Sequence, residues 1–288
     1  ASLAQVSFMR RFCALLFSQV PQRPLGLHLP MEPWVIVTGG GSGIGRGLVH
    51  HFCRDHLVMT CGRRGDKLDE TKQECGRPDA VTTVACDLGT PEGRAILIAA
   101  LPEGALVRLL VQNAAIGDPA PLAELDVAHF EKALQVNVVA PLALTKAFLP
   151  GLLAGSGRIL HLGTSVAHQP QRGTATYGVT KAAFHRLYQQ LNAEGLGVPV
   201  GSLSPGLVDT EGVRDHVQKA RKLDLPHVSF FDQAFEKGWT TDMTDLLRLF
   251  DELLAMDAQQ FSEKEWRFSE WRKKCELAQS GNDDKSAL

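Results

Sequence analysis

Tyr177 and Lys181 stand four residues apart in Tyr177–Glu194, a stretch with helical periodicity. Positions i and i+4 share one helical face, about 6 Å apart along the axis. A free phenol titrates near about 10, and a neighbouring ammonium stabilises the phenolate and draws that value toward neutrality. Such a phenol can hand a proton to a carbonyl oxygen as hydride reaches the carbon, or take it back in the reverse direction. A Tyr-x-x-x-Lys pair recurs by chance in many helices, so its surroundings must give it meaning.

A second chemical signal is the run Thr38-Gly-Gly-Gly-Ser-Gly-Ile-Gly45. It follows the apolar stretch Trp34–Thr38 and opens the amphipathic stretch Ile44–Arg54. Glycines 39, 43 and 45 fall where a strand must turn sharply into a helix. Without Cβ atoms they let a pyrophosphate approach the backbone, and the free N–H groups and dipole of the helix bind the anion. The spacing is G-x3-G-x-G, not G-x-G-x-x-G. The candidate cradle comprises Thr38, Gly39, Gly41, Ser42, Gly43, Ile44 and Gly45.

The next apolar run ends in Cys61-Gly62-Arg63-Arg64, with no acid before Asp66. An acid there would bond the ribose hydroxyls of NAD, whereas the planar, permanently charged Arg63 and Arg64 suit a 2′-phosphate. NADP(H) is therefore the expected cofactor, against the plainer reading of a solvated basic loop.

These groups need a scaffold, and the sequence supplies one. Short β-rich runs (Trp34–Thr38, Leu57–Cys61, Val81–Ala85, Val107–Val111, Arg158–Leu162, Val198–Ser202) alternate with helical ones (Ile44–Arg54, Pro91–Leu101, Leu125–Leu149, Tyr177–Glu194, Met243–Met256). That alternation predicts right-handed βαβ crossovers and a doubly wound parallel sheet in a three-layer α/β/α (Rossmann) fold. The boundaries expected are an N-terminal extension at 1–30, one domain over 31–272 and a polar tail over 273–288.

Composition narrows the possibilities. The chain has 288 residues, 44% hydrophobic and 22% charged, with a net charge of −2, so a nucleic-acid partner is not expected. No run of 18 uncharged apolar residues reads as a membrane span. Six scattered cysteines without a CxxC pair read as reduced thiols. His50, His51, His56, His129, His161, His168 and His185 show no metal spacing and read as structural. The first thirty residues hold Arg10, Arg11 and Arg23 but no acid, the character of an organelle transit segment, so the chain is expected to be cytoplasmic, or mitochondrial or otherwise organellar if that segment is a signal.

Taken in order, the glycine turn, the arginines and Tyr177/Lys181 resemble the short-chain dehydrogenase/reductases, nearest in flavour to the carbonyl, sepiapterin and benzil reductases, over about Glu32–Phe268. The resemblance implies a seven-stranded sheet in the order 3-2-1-4-5-6-7, with nicotinamide across its C-terminal edge. It implies that Asp87 and Leu88 contact adenine, that Asn113 and Ala114 line the cofactor face (with Ala115 where a glycine is usual), and that Lys181 bonds the nicotinamide ribose. Asn137 would be the asparagine that breaks the central helix and holds a water linked to the lysine. The hydroxyl that polarises the substrate oxygen falls on Thr164 by ungapped register, with Ser165 open one residue later. Pro205 and Gly206 match a turn after the sixth strand, with Val208 and Thr210 facing the nicotinamide amide.

The segment Glu211–Thr240, mixing charge with Phe230, Phe231, Phe235 and Trp239, reads as a helical lid over an apolar pocket. The expected activity is NADP(H)-dependent hydride transfer to or from a small carbonyl or alcohol, in a homodimer or homotetramer built on Leu125–Leu149 and Tyr177–Glu194. The alternative is a catalytically silent subunit that keeps the fold within a larger assembly.

Overall fold

The structure is a computed structural model that describes residues 32–283. The expectations for residues 1–30 and for the last five residues fall outside that range.

Strands apolar at successive positions are stable only when both faces are covered. In Trp34–Thr38 (β1), Val35 and Val37 join one core layer and Ile36 the other, each at 1% exposure or less. The elements that follow are α1 (Gly43–Phe52), β2 (Leu57–Gly62), α2 (Gly65–Glu74), β3 (Val81–Ala85), α3 (Pro91–Ala100) and β4 (Val107–Gln112). Next come α4 (Val127–Leu134), α5 (Ala140–Ala154), β5 (Arg158–Leu162), α6 (Ala175–Ala193) and β6 (Val200–Ser204). The chain then runs through α7 (Glu211–Lys222), α8 (Val228–Glu236), α9 (Met243–Ala255), α10 (Ala258–Ser262), β7 (Glu265–Arg267) and α11 (Phe268–Asp283).

All seven strands are parallel, in the order β3-β2-β1-β4-β5-β6-β7. This is the doubly wound three-layer sheet expected. The strand order reverses between β1 and β4, which opens a crevice at their C-terminal ends.

Three differences from the expected elements have physical causes. β6 begins at Val200, not Val198, because Pro199 has no N–H; its carbonyl still accepts from Ile159 N at 2.9 Å. Helix α2 is nearly all polar and escapes a periodicity search, yet it buries Leu68 and Thr71. The third is helix α11, which no periodicity announced: it buries Phe268 to 4%, ties Trp271 Nε1 to Glu252 at 2.8 Å and continues past residue 273 to Asp283.

The stretch Val127–Ala154 is helical throughout but interrupted by a π-helical turn at Gln135–Val139. By length and composition it could cross a membrane. Here its inward side, including Leu144, Phe148 and Leu152, belongs to the core layer that covers β4. Among the described residues Cys53, Cys61, Cys75, Cys86 and Cys275 are free.

Candidate active site

The glycine turn between β1 and α1 is closed to side chains. Gly39 (φ 76°) and Gly43 (φ 55°) adopt left-handed conformations, and a Cβ on Gly45 would lie 2.1 Å from the Gly39 carbonyl oxygen. Gly40, which the sequence reading passed over, is equally constrained: its Cβ would lie 2.0 Å from Thr60 Oγ1. Ser42 caps α1 in an extended conformation without a side-chain capping bond, and Ile44 lies in the first turn. The Gly41 carbonyl accepts from Arg46 at 3.0 Å.

The far wall is the end of β4. Thr38 Oγ1 accepts from the backbone N–H of Asn113 and of Ala114, each at 3.0 Å, and donates to Val111 O at 3.2 Å. Asn113 Nδ2 donates to Thr38 O and Gly39 O at 2.8 and 3.1 Å. Thr38 thus couples the glycine turn to the fourth strand. From β6, Gly206 turns the chain with φ 75°, Val208 is buried, and the Thr210 side chain reaches to 3.0 Å from the position of a Gly43 Cβ. Thr241 Oγ1 secures the turn by donating to Pro205 O at 2.8 Å. A bare backbone cradle at a helix N-terminus, with no room for Cβ atoms, fits a dinucleotide pyrophosphate.

At the end of β2, Arg63 is exposed, while Arg64 donates to both carboxylate oxygens of Glu211 at 3.1 and 3.3 Å. At the end of β3, Asp87 accepts from Gly89 N at 2.9 Å and pairs with Lys132 at 3.0 Å. These partners, with Arg63 nearby, hold its carboxyl below the usual range against the opposing pull of desolvation. Leu88 is buried at 6%.

Tyr177 and Lys181 share the inner face of α6, with the ammonium 5.8 Å from the phenol ring centroid. Lys181 is buried at 4% and donates to Leu162 O, at the end of β5, at 2.7 Å. Burial pushes its ammonium down to about 8. Tyr177 keeps an opening to solvent, yet desolvation pushes its phenol up to about 12, opposed by hydrogen bonding with the Thr164 hydroxyl. In the protein without a dinucleotide, desolvation is therefore the dominant influence on this phenol.

The geometry separates the two hydroxyl candidates. Thr164 is the one within hydrogen-bonding reach of Tyr177, while Ser165 is exposed at the start of the next turn. Asn137 lies in the π-helical turn at 2% exposure. Its Nδ2 donates to Ile116 O at 2.7 Å and Thr180 Oγ1 at 2.8 Å, and its Oδ1 accepts from Ile116 N at 2.9 Å. Pro141, four residues on, has no N–H, so the Asn137 carbonyl loses its usual helical donor.

Several residues that shape the site left no signal in the sequence reading. Gly117 lies under the tyrosine, where a Cβ would come within 2.7 Å of Tyr177 Cβ. The lid segment forms α7 and α8, joined by Arg221–Asp232 at 2.6 Å. Lys219 bonds Asp118 at 2.8 Å, and His227 Nδ1 lies 3.2 Å from Arg172 O, so the lid rests on the two loops flanking Tyr177. Phe230 and Trp239, expected over the pocket, are instead exposed at 53% each.

The family profile described as short chain dehydrogenase matches residues 33–221, and the chain belongs to that family. It is 30% identical over 186 residues to a serine 3-dehydrogenase of Rhizobium radiobacter, covering 63% of this chain and 74% of that protein. It is 33% identical over 189 residues to a sulfoacetaldehyde reductase of Chromohalobacter salexigens, covering 63% and 74%. Among solved structures, a serine dehydrogenase in its closed form complexed with NADP+ aligns at TM-score 0.64 and 25% identity, over 78% of this chain and 90% of that one. The protein is an oxidoreductase of this family with a Rossmann-like sheet.

Proposed function

We propose that this oxidoreductase uses NADP(H) to reduce a carbonyl compound to an alcohol, with Tyr177 as the acid. The observation that carries the reading is the partly buried Tyr177 phenol within reach of the Thr164 hydroxyl, above a lysine held on the end of β5. Bound at the glycine turn, NADPH would supply the hydride. The exposed Arg63 and the half-exposed Arg64 supply guanidiniums for its 2′-phosphate, and a relative's complex with NADP+ supports the same choice.

Thr164 donates a hydrogen bond to the carbonyl oxygen and fixes its place beside Tyr177 Oη. Tyr177 transfers its proton to that oxygen as negative charge develops there. A phenol pushed up to about 12 is protonated throughout the neutral range, which suits it to donate a proton. Lys181, on the same face, presents donors to the ribose hydroxyls, and Asn137 holds α4–α5 against α6 through Thr180. Exposed Leu142, Leu153 and Val179 on α5 and α6 support a homodimer or homotetramer, which light scattering would distinguish from a monomer.

The test is NADPH consumption with a panel of aldehydes and diketones. Tyr177→Phe is expected to lower kcat by about 10²–10⁴-fold while NADPH still binds. Reduction should hold constant from pH 6 to about 7 and fall as Lys181, pushed down to about 8, loses its charge, whereas alcohol oxidation should rise with pH as the phenol begins to ionise. Undiminished turnover in Tyr177→Phe would overturn the assignment of the acid. NADPH binding without turnover of any carbonyl would favour the catalytically silent alternative.

A further inference from the structure

Behind the turn that carries Thr164, three side chains from distant parts of the chain converge. Glu265 lies in β7, His185 is on α6 one helical turn beyond Lys181, and His168 follows the short helical turn Ser165–Ala167. Their ligating atoms all lie within 4.8 Å of one another. His168 Nε2 is 2.7 Å from Glu265 Oε2, and His185 Nδ1 is 3.5 Å from Glu265 Oε1.

Glu265 is the unusual member. Its side chain is only 7% exposed, yet Oε1 makes no hydrogen bond among the described residues, and neither does His185 Nδ1 beside it. A buried carboxylate oxygen without a partner is costly, and a cation between it and the imidazoles would remove that cost. The neighbouring cation, Arg267, reaches only to 3.8 Å of the other oxygen and is half exposed, so it satisfies neither orphan atom.

We propose that His168, His185 and Glu265 form a binding site for a divalent metal of the zinc class. Two imidazole nitrogens and one carboxylate oxygen match the borderline preference of such ions and not the all-oxygen shells of calcium or magnesium. Around tetrahedral zinc with bonds of about 2.0–2.1 Å, ligand atoms stand about 3.3–3.4 Å apart. The His168–Glu265 contact at 2.7 Å must therefore open by about 0.6 Å, and the wider separations, within 4.8 Å, must close by about 1.5 Å at most. The metal takes the place of the hydrogen bond between His168 and Glu265. His185 binds through Nδ1, with its Nε2–H directed to a rotated Gln189 amide, which now lies 3.1 Å from that nitrogen. The fourth position faces the cleft beside Glu263 and Glu270 and is left to water.

The consequence follows from position. A Cβ on Gly163 would lie 2.5 Å from Glu265 Oε1, so the metal sits directly behind the residue that precedes Thr164. It would fasten β7, α6 and the turn after Thr164 at a single point. Its role is to hold the turn, separate from proton transfer at Tyr177.

The experiment uses the full chain freed of metal with a chelator, then titrated with Zn2+ alone against a chromophoric chelator, with Mg2+ as the counter-example. One Zn2+ should bind per chain with a rise in Tm, and Co2+ in its place should give the visible bands of four-coordinate cobalt. His168→Gln, at an exposed position, and Glu265→Gln should each weaken binding at least tenfold. His216→Gln removes one member of the other close imidazole pair, His216 and His227 at 3.1 Å, and should leave binding unchanged. If Glu265→Gln does not fold, His168→Gln decides alone. Absence of Zn2+ binding to the wild type overturns the proposal. So does binding that His168→Gln leaves intact, which would place the ion on thiols or elsewhere.

Discussion

The contact between Arg64 and Glu211 bears directly on cofactor choice. Both side chains are more than half exposed, at 52% and 60%, and an exposed pair in water contributes little to stability. A dianionic phosphate offers the same guanidinium more charge and more acceptor oxygens, so the ion pair should yield to it. Glu211 then acts as a competitor for Arg64, occupying it when no phosphate is present. Glu211→Gln should tighten NADPH binding and leave NADH nearly unchanged, widening the ratio of their dissociation constants. Arg63→Ala together with Arg64→Ala should weaken NADPH by about tenfold or more and bring the ratio toward one. Fluorescence titration with both dinucleotides reads this directly. Discrimination that survives the double change would mean that the 2′-phosphate is recognised elsewhere, with Arg46, on α1 beside the glycine turn, the next group to test.

The interrupted helix α4–α5 shows how an element positions a site. Asn137 spends its whole side chain on Ile116 and Thr180, joining the π-helical turn to the loop after β4 and to α6. That loop contains Gly117, which packs against Tyr177. Asn137→Ala would strip the Ile116 N–H and C=O of their partners in a partly buried place. The expected loss is about 3 kcal/mol in urea unfolding. Because the loop backs the tyrosine, kcat should fall more than KM rises, and Asn137→Asp should recover part of the stability by keeping an acceptor for Ile116 N. Much of the frame around this element was legible in sequence. Strands buried on both faces announce themselves by continuous apolar runs, and the glycines and arginines stand at strand ends where an α/β sheet binds ligands. Gly40, Gly117 and the cluster of His168, His185 and Glu265 were not legible. Their significance comes from what lies opposite them in space, at sequence separations that no local spacing rule can see. The depth of burial at Tyr177 is hidden for a similar reason: the adjacent lysine is written in the sequence, but the desolvation of the phenol is not.

At the scale of the whole molecule, the core carries titratable groups whose burial ties stability to pH. His161, in β5, is 1% exposed and stacked on Phe184 at 4.2 Å, with the Lys181 ammonium also over that ring at 4.7 Å. Desolvation first, and the Lys181 charge second, push its imidazole from the ordinary 6.5 down to about 3. The unfolded chain therefore binds a proton near pH 6.5 that the folded chain refuses until about pH 3. Stability is full above 6.5 and is lost as the pH falls through that window, at about 1.4 kcal/mol per pH unit for one proton. At the alkaline end the signs divide. Lys181, pushed down to about 8, makes stability rise between pH 8 and 10.5, whereas Tyr177, pushed up to about 12, makes it fall above 10. His161→Leu keeps an apolar partner for Phe184 and removes the refused proton. Unfolding free energies measured from pH 7 down to pH 5 should then fall less steeply in the variant, by about one proton's worth of slope. Equal slopes in the two proteins would mean that His161 does not govern the acid limb, and that other imidazoles held below 6.5 by desolvation, such as His216 and His227, carry it instead.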